Sequence, residues 1–194
     1  MGKLIAYRPT SEDPSELSDE ALVAACGTND PTALALLFRR HSAALQRFLS
    51  RLAGVDARDL EDLVQATFIA VNTAAAGFRG TSSVRTWILG IAANIVGKHV
   101  RGELRRRTLR TKIAEIPREP IRGPDQQAEH NQTLARLEAA LADLPHDLRA
   151  AFVLCVIESV PGKDAAEVLG IREGTLWRRL HEARVQLRQA VEGT

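Results

Sequence analysis

Residues 164–180 read DAAEVLGIREGTLWRRL. This stretch has the spacing of a helix-turn-helix, because Ala166 is small enough for two helices to cross closely, Gly170 supplies a tight turn and Leu176 packs the second helix back. A plain helical hairpin shows the same spacing. However, residues 172–188 contain five arginines against two glutamates. That positive charge, on the element that would enter a major groove, predicts DNA binding.

Composition restricts the fold class. The chain has 194 residues, of which 45% are hydrophobic and 26% are charged, as in globular proteins. Only 4% are aromatic, and turn signals for hairpins are scarce, so we expect an all-α protein. The longest apolar run, residues 150–157, is far shorter than the roughly 20 residues of a membrane-spanning helix. Since no signal peptide is evident either, a cytoplasmic protein without membrane insertion is expected.

The two cysteines, Cys26 and Cys155, have no second cysteine or histidine at ligand spacing. This pattern argues against a disulfide framework or a zinc site, and it predicts two buried core thiols.

Charge is unevenly distributed although the net charge is only +2. Residues 12–30 contain six acidic residues and no basic one, whereas residues 98–122 contain nine basic residues against three acidic ones. The basic stretch is either a solvated helix surface with a tail or a surface that binds phosphates. The neighbouring sequence has to decide between these interpretations.

Helix signals organise the first half of the chain. The polar residues 1–15 are expected to form a disordered tail. Ser18 begins a first helix, and Asp30 followed by Pro31 begins a long one that ends near residue 54. A third amphipathic helix is predicted from about residue 56 to 77, followed by a loop over residues 78–83.

The next helix carries two different faces. Its apolar face includes Trp87, which we therefore assign to the core. The opposite face carries a polar stripe, formed by Asn94, Lys98, Arg101 and Arg105.

Proline marks a domain boundary after this helix. Residues 116–124 contain three prolines and a glycine, which no helix tolerates. The sequence thus predicts two small helical domains, residues 16–107 and 128–194, joined by a flexible basic linker at 108–127. We expect a monomer whose domains tumble semi-independently.

Four segments together resemble the extracytoplasmic-function (ECF) sigma factors of the sigma-70 family. Residues 59–68 are similar to the family's polymerase-binding helix, and residues 78–94 to its −10 recognition loop and helix. Residues 170–184 resemble its −35 helix-turn-helix, and residues 141–145 the beginning of that domain. The four occur in the family's order and spacing. The resemblance implies a region 2 helical bundle and a region 4 helix-turn-helix domain.

The resemblance also implies a function: an alternative sigma factor that binds core RNA polymerase through its β and β′ subunits, recognises promoter DNA and promotes its melting. An anti-sigma factor is implied as a further partner. The implied polymerase-binding residues are Asp59, Glu61, Asp62, Gln65 and Phe68. Those for the −10 element are Phe78, Arg79, Gly80, Thr81, Ser82, Ser83, Arg85, Asn94, Lys98, Arg101 and Arg105. Those for the −35 element are Arg172, Glu173, Thr175, Trp177, Arg178, Arg179 and Arg184.

The loop at 78–83 has residue types that suit the capture of an unpaired base. A sigma factor melts DNA without ATP hydrolysis, and unstacking costs a few kcal/mol per step. Aromatic Phe78 can stack on a base, and the hydroxyls of Thr81, Ser82 and Ser83 can bond to its edge. An ordinary glycine-containing turn is the simpler interpretation of the loop taken alone.

Four residues, at three places in the chain, depart from the family pattern. Ala66 stands where a glutamate is common, which removes one carboxylate from the polymerase-binding helix. Pro161 and Gly162 stand where a Ser-Tyr pair often begins the helix-turn-helix. Trp177 occupies a position often filled by lysine, so an inherited −35 preference is in doubt.

Other function classes have less support. The five histidines are scattered, and neither a nucleophile elbow nor a glycine-rich phosphate loop occurs, so we expect no enzyme, no catalytic residue, no metal site and no cofactor. One alternative is a conventional helix-turn-helix regulator that binds an operator without polymerase. Another is an adaptor or anti-sigma-type protein that acts only through protein contacts.

Overall fold

The computed structural model describes residues 17–53, 57–110 and 128–192, and the side chains of residues 17–53, 59–100 and 136–190. All regular structure among them is helical, which confirms the predicted all-α class. The helices are α1 Asp19–Cys26, α2 Pro31–Ala53, α3 Ala57–Ala74, α4 Val84–Arg110, α5 Ala128–Asp143, α6 His146–Phe152, α7 Gly162–Val168 and α8 Glu173–Glu192. A short 3₁₀ turn, Ala75–Gly77, follows α3, and a π turn, Val153–Ile157, follows α6.

The first two helices begin where the sequence predicts. The hydroxyl of Ser18 accepts a hydrogen bond from the Ala21 amide at 3.2 Å. The carboxylate of Asp30 accepts a hydrogen bond from the Thr32 amide at 2.8 Å. These two residues flank Pro31, the first residue of α2. Each side chain satisfies a backbone donor that the helix itself leaves unpaired.

Helices α1 to α4 form the first domain around one apolar core. Helix α2 packs against α1, α3 and α4. Phe48 and Leu45 of α2 and Ile88 of α4 are completely or almost completely buried. Because α2 contributes an apolar residue on every turn, three helices can pack around it.

Helices α5 to α8 form the second domain, with α8 packed against α5, α6 and α7. The predicted helix-turn-helix is α7 and α8. Gly170 has a φ of +66°, and the Ile171 amide donates to the Ala166 carbonyl at 3.0 Å. Ala166 and Leu176 are buried, as the spacing requires for two helices that cross closely.

The two domains pack against each other. Helix α2 contacts α5 and α6, and α4 contacts α6 and α7. Arg149 donates to the Leu52 carbonyl at 2.9 Å, and Arg85 is paired with Glu158. The domains are therefore in contact in this structure, and their semi-independent tumbling in solution stays a prediction. The contacts join residues 97 and 73 positions apart, so local periodicity does not indicate them.

Some predictions concern residues that lie outside the described part of the chain. The disordered tail at 1–15 lies there, and so does most of the linker at 108–127. None of the described helices is long and apolar enough to cross a membrane.

The cysteines differ from each other. Cys26 is buried, as predicted, whereas Cys155 is only half-buried. Loss of hydration on burial raises the pKa of both thiols above the ordinary value. Over the described ranges, His, Cys, Asp and Glu side chains form no group able to hold a metal ion.

Asp19 connects α1 to α2. Its carboxylate accepts a hydrogen bond from Arg40 at 2.7 Å and lies 2.8 Å from Nε2 of His41. Partial burial alone would raise the pKa of Asp19, but the Arg40 and His41 contacts outweigh it and hold the pKa below 3.8.

Gly170→Ala should destabilise the fold by about 1 kcal/mol. A side chain at positive φ costs about 1–2 kcal/mol, partly offset by the lower entropy of the unfolded chain. A Cβ meets open space at both Gly170 and Gly174, so Gly174→Ala is a matched control that should gain about 0.5–1 kcal/mol as a helical substitution. Urea denaturation measures both. Equal effects would contradict the role given to φ.

Asp19→Asn should destabilise the protein by about 0.5–1 kcal/mol at pH 7 and by less at acidic pH. Because the folded pKa is lowered, the carboxylate stabilises the fold above the unfolded pKa of 3.8, and this contribution disappears as the pH falls through the folded pKa. Urea denaturation at pH 7 and near pH 3.5 measures the difference. Glu20→Gln is the control for charge, and a loss independent of pH would disprove the assignment.

Candidate nucleic-acid and polymerase interfaces

The loop between the 3₁₀ turn and α4 forms one wall of a cleft. Phe78 and Trp87 are half-buried, with ring centroids 4.9 Å apart and ring planes tilted by 46°. Trp87 packs against the core, as predicted from the apolar face of α4, and it also lines the cleft. The sequence pattern indicated only the first of these roles.

The cleft has a volume of about 290 Å³. This lies near the lower end of the about 300–1,000 Å³ typical of small-molecule sites, so its size suits one flat group rather than a strand. It brings together six residues from the loop and α4 that offer rings, hydroxyls, a guanidinium and an amide: Phe78, Arg79, Thr81, Ser82, Trp87 and Asn94. Five of these six were predicted −10 residues.

Two loop residues have backbone roles. Gly80 has a φ of +67°, which allows the loop to turn at that point. The Ser83 hydroxyl accepts a hydrogen bond from the Thr86 amide at 3.1 Å and donates to the Thr86 hydroxyl at 2.9 Å. Ser83 therefore caps α4, so it positions the helix on which Trp87 and Asn94 lie.

The polar stripe of α4 continues from the cleft. Asn94 and Lys98 are exposed, four residues apart on the same helix face. Arg101 and Arg105 belong to the same helix, but their side chains lie outside the described residues.

Three of the predicted −10 residues contact the second domain. Thr81 donates from its hydroxyl to Glu167 at 2.7 Å. Asn94 donates from its amide to the Val168 carbonyl at 3.0 Å. Arg85 is paired with Glu158. Nothing in the local sequence pattern indicated these partners.

The predicted polymerase-binding residues divide into two groups. Asp59, Glu61, Asp62 and Gln65 of α3 are exposed. Phe68 is 4% exposed and its ring lies 4.9 Å from that of Phe38, so in this structure it supports α3 from the core.

An apolar residue that the sequence pattern did not assign to any surface lies on the exposed side of α3. Ile69 is 60% exposed, and it follows Asp62 and Gln65 at spacings of seven and four, which places all three on one helix face. The sequence did contain a signal for this surface, because Ile69 is an apolar residue that lies outside the buried face of α3. A mixed acidic and apolar surface of this kind is suited to a protein partner.

Helix α8 presents most of the predicted −35 residues to solvent. Arg172, Glu173, Arg178 and Arg184 are exposed, and Thr175 is half-buried. Arg179 differs, because it is paired with Asp147 of α6 at 2.7 Å and its side chain is only 20% exposed. In this structure Arg179 therefore joins α8 to α6.

Two departures from the family pattern lie in direct contact. Trp177 is 52% exposed, yet a Cβ placed on Gly162 would lie only 2.6 Å from its indole ring. The large ring at 177 thus occupies the space of a side chain at 162. A glycine at the start of α7 and a tryptophan in α8 compensate for each other sterically.

Comparison with known proteins agrees with this geometry. Residues 37–107 match the family described as Sigma-70 region 2, and residues 134–187 match Sigma-70, region 4. These ranges contain the cleft and the helix-turn-helix.

Individual proteins are similar to this chain over nearly its whole length. The ECF RNA polymerase sigma factor SigE of Mycolicibacterium smegmatis is 34% identical over 186 residues, which cover 92% of this chain and 71% of that protein. SigC of Mycobacterium tuberculosis, also described as an ECF RNA polymerase sigma factor, is 34% identical over 90% of this chain and 91% of its own.

A solved structure has a similar fold. CnrH, in complex with the cytosolic domain of CnrY, superimposes with a TM-score of 0.61 at 25% identity, covering 90% of this chain and 97% of CnrH. With both sigma-70 regions present in order, and with identity of this level along the chain, the protein belongs to the extracytoplasmic-function sigma factors of the sigma-70 family.

Proposed function

We propose that this alternative sigma factor uses the cleft beside Phe78 and Trp87 to hold an unpaired base of the −10 element. The gathering of rings, hydroxyls and an amide in one cleft of single-base size is the observation that carries the proposal. An aromatic face is worth about 1–3 kcal/mol per stacked base, which is comparable to the cost of unstacking one step. Capture of a base in this way offsets the free-energy cost of melting, so no ATP hydrolysis is needed.

The polar stripe of α4 would act next to the cleft. Asn94 can bond to a base edge or a sugar, and Lys98 can neutralise a phosphate. Arg101 and Arg105 are assigned to the same strand from their positions in α4.

The second domain would recognise the −35 element as duplex. Arg172 lies immediately before α8, and Glu173 and Arg178 lie near its N-terminus; all three are exposed. The N-terminal residues of a recognition helix usually contact base edges. Trp177 adds an exposed apolar surface there, which suits contact with a thymine methyl group or a sugar.

The exposed face of α3 would bind the core polymerase. Asp62, Gln65 and Ile69 share that face, so ionic and apolar contacts can form together. Glu61 and Asp59 extend the acidic part. The two mycobacterial relatives are named as RNA polymerase sigma factors, which supports core polymerase as the partner. The family resemblance implies that the contacts are with its β and β′ subunits.

A regulatory protein partner is part of the same proposal. CnrH is described in complex with the cytosolic domain of CnrY, and the family resemblance implies an anti-sigma factor. We assign such a partner to this chain as well, and we assign its action to the cytoplasm, where RNA polymerase works. Free of partners, the protein is proposed to be a non-catalytic monomer.

Glu61→Lys with Asp62→Lys should weaken core polymerase binding about tenfold or more while leaving the fold intact, because reversed charges at an interface repel and exposed substitutions rarely change stability by more than about 0.5 kcal/mol. Affinity for purified core polymerase is measured by fluorescence anisotropy. The control, Glu20→Lys with Glu138→Lys, makes the same charge change at exposed positions on α1 and α5. An unchanged affinity for the α3 variant would reject this interface.

Phe78→Ala and Asn94→Ala should each reduce promoter melting by about tenfold or more, because each removes a group that binds the extruded base. The promoter is first selected from random DNA with reconstituted holoenzyme, and melting is followed by permanganate footprinting. Binding of the holoenzyme to the −35 duplex should not change.

Phe78→Tyr is the matched control, since it keeps the aromatic face, and it should retain most of the melting. A full bubble with Phe78→Ala and Asn94→Ala combined would refute the base-capture role. A gel shift of duplex DNA by the chain without polymerase would instead favour the conventional regulator.

A further inference from the structure

The first residue of α7, Gly162, contributes no side chain to the contact with α8. Pro161 and Gly162 stand where the family pattern has a hydroxyl and an aromatic ring, and among the described residues no side chain caps this helix. Pro161 has a φ of −54°, which its ring restricts, and its carbonyl accepts a hydrogen bond from the Ala165 amide at 2.9 Å. The backbone at Gly162 is therefore fixed from both sides.

The indole of Trp177 occupies the space beside Gly162. A Cβ built on Gly162 would lie 2.6 Å from Cζ2 and 2.8 Å from Cη2 of the ring, whereas carbon atoms that are not bonded pack at about 3.5–4.0 Å. The six-membered edge of the ring therefore lies against the backbone of α7. An aromatic ring is present at this place, as in the family pattern, but α8 supplies it instead of α7.

The helix that carries Trp177 is anchored in the core of the second domain. Leu176 and Leu180, in the first two turns of α8, are completely or almost completely buried. With its backbone anchored and one edge of its ring against Gly162, Trp177 has few positions available. It is nevertheless 52% exposed. About half of its surface is thus offered to a partner in a fixed orientation, so little side-chain entropy is lost on binding.

Trp177 lies on an exposed face of α8 that has a gap beside the ring. Gly174, Trp177, Arg178 and His181 are exposed and follow one another at helical spacing. Gly174 lies one turn before Trp177, and a Cβ built on Gly174 would meet no atom of the described residues within 4 Å. The edge of a base can therefore approach the ring without meeting a side chain at position 174.

The chemistry of an indole restricts the group that it can contact on a base pair. The ring is uncharged and has one N–H donor, so it cannot make the paired bonds to guanine O6 and N7 that arginine or lysine makes. The 5-methyl group of thymine is the apolar group that distinguishes one base in the major groove. An apolar ring at this position therefore favours thymine.

The position of the ring between the two helices favours the same group. The first helix of a helix-turn-helix crosses the DNA backbone while the second lies in the major groove. A ring on α8 that lies against the start of α7 is thus placed at the side of the groove, next to a strand. The methyl group of thymine projects into the groove on the side of its own strand.

We infer that Trp177, held in place by Gly162, makes the −35 surface specific for the 5-methyl group of one thymine. Trp177 is the specificity-determining residue, and Gly162 is a positioning residue that acts only through the ring. The inference rests on the proposed recognition of the −35 element by α8. It adds the chemical group that is recognised and the residue that fixes the orientation of the ring.

The experiment removes the methyl group and nothing else. Holoenzyme reconstituted with the full chain first selects a −35 element from random duplex DNA. Each thymine of that element is then replaced by deoxyuridine, one at a time, and binding of the holoenzyme is measured by fluorescence anisotropy. One replacement should weaken binding about fourfold, the effect expected for the loss of one buried methyl group, and the others should have little effect.

Two substitutions should each abolish the difference between thymine and uracil at that position. Trp177→Lys removes the ring. Gly162→Ala displaces it, because the added Cβ would overlap with Cζ2. Since the indole is an exposed side chain with room to move, the domain should stay folded, and thermal unfolding of each variant checks this.

The combined variant separates positioning from a general structural role. If Gly162 acts only through the ring, Gly162→Ala should have no further effect in the Trp177→Lys background, where no ring remains to be displaced. The control, Val185→Lys, makes the same change from an exposed apolar residue to a lysine elsewhere on α8. It should keep the preference for thymine although it adds a positive charge.

Two results would overturn the inference. One is a selected −35 element that contains no thymine or is insensitive to every deoxyuridine replacement, as contact with a deoxyribose would give. The other is a preference for thymine that persists in Trp177→Lys. In both cases the holoenzyme still selects a −35 element, so the proposed function stands. A holoenzyme that selects no −35 element would instead reject the proposed −35 role and this inference with it, so the two failures are distinguishable.

Discussion

Helix α4 is packed from two sides, and the arrangement of both domains depends on how its residues are divided between them. Ile88 and Ala92 are buried against α2 and α3 in the first core. Gly90 faces α7 of the second domain. Over residues 84–100 of α4, whose side chains the structure describes, the exposed residues are Asn94, Lys98 and His99.

Two of the residues proposed to bind −10 DNA, Thr81 and Asn94, also make contacts between the domains. The residues that suit DNA are hydroxyl, amide and guanidinium donors, and these are also the donors that satisfy carboxylates and helix-end carbonyls in a protein. Thr81 and Asn94 therefore have two possible sets of partners of the same chemistry. In this structure the partners are Glu167 and the Val168 carbonyl of the second domain.

Within the helix-turn-helix, Trp177 and Gly162 compensate for each other sterically. Trp177 and Gly162 each depart from the family pattern, but the indole ring fills the space that a side chain at 162 would need. The exposed part of the ring changes the surface offered to a −35 element. This pair connects a packing requirement to the surface proposed to recognise the −35 element.

Sequence alone determined the features that depend on local order. Helix starts at Ser18 and Asp30 follow from capping chemistry, the turn at Gly170 from its tolerance of positive φ, and the two-domain organisation from the prolines after α4. Regular spacing of residues within one helix was also sufficient to place Asn94 and Lys98 on a common polar face. The order of the motifs identified the family.

Only the tertiary structure decided which of these surfaces is accessible. It showed Phe68 buried against Phe38, Arg179 paired with Asp147, and Ile69 exposed beside the acidic face of α3. It also showed Glu158, Glu167 and Val168 of the second domain in contact with Arg85, Thr81 and Asn94. Periodicity along a chain reports which residues share a helix face, but it contains no information about which other helix covers that face, because such contacts join residues dozens of positions apart.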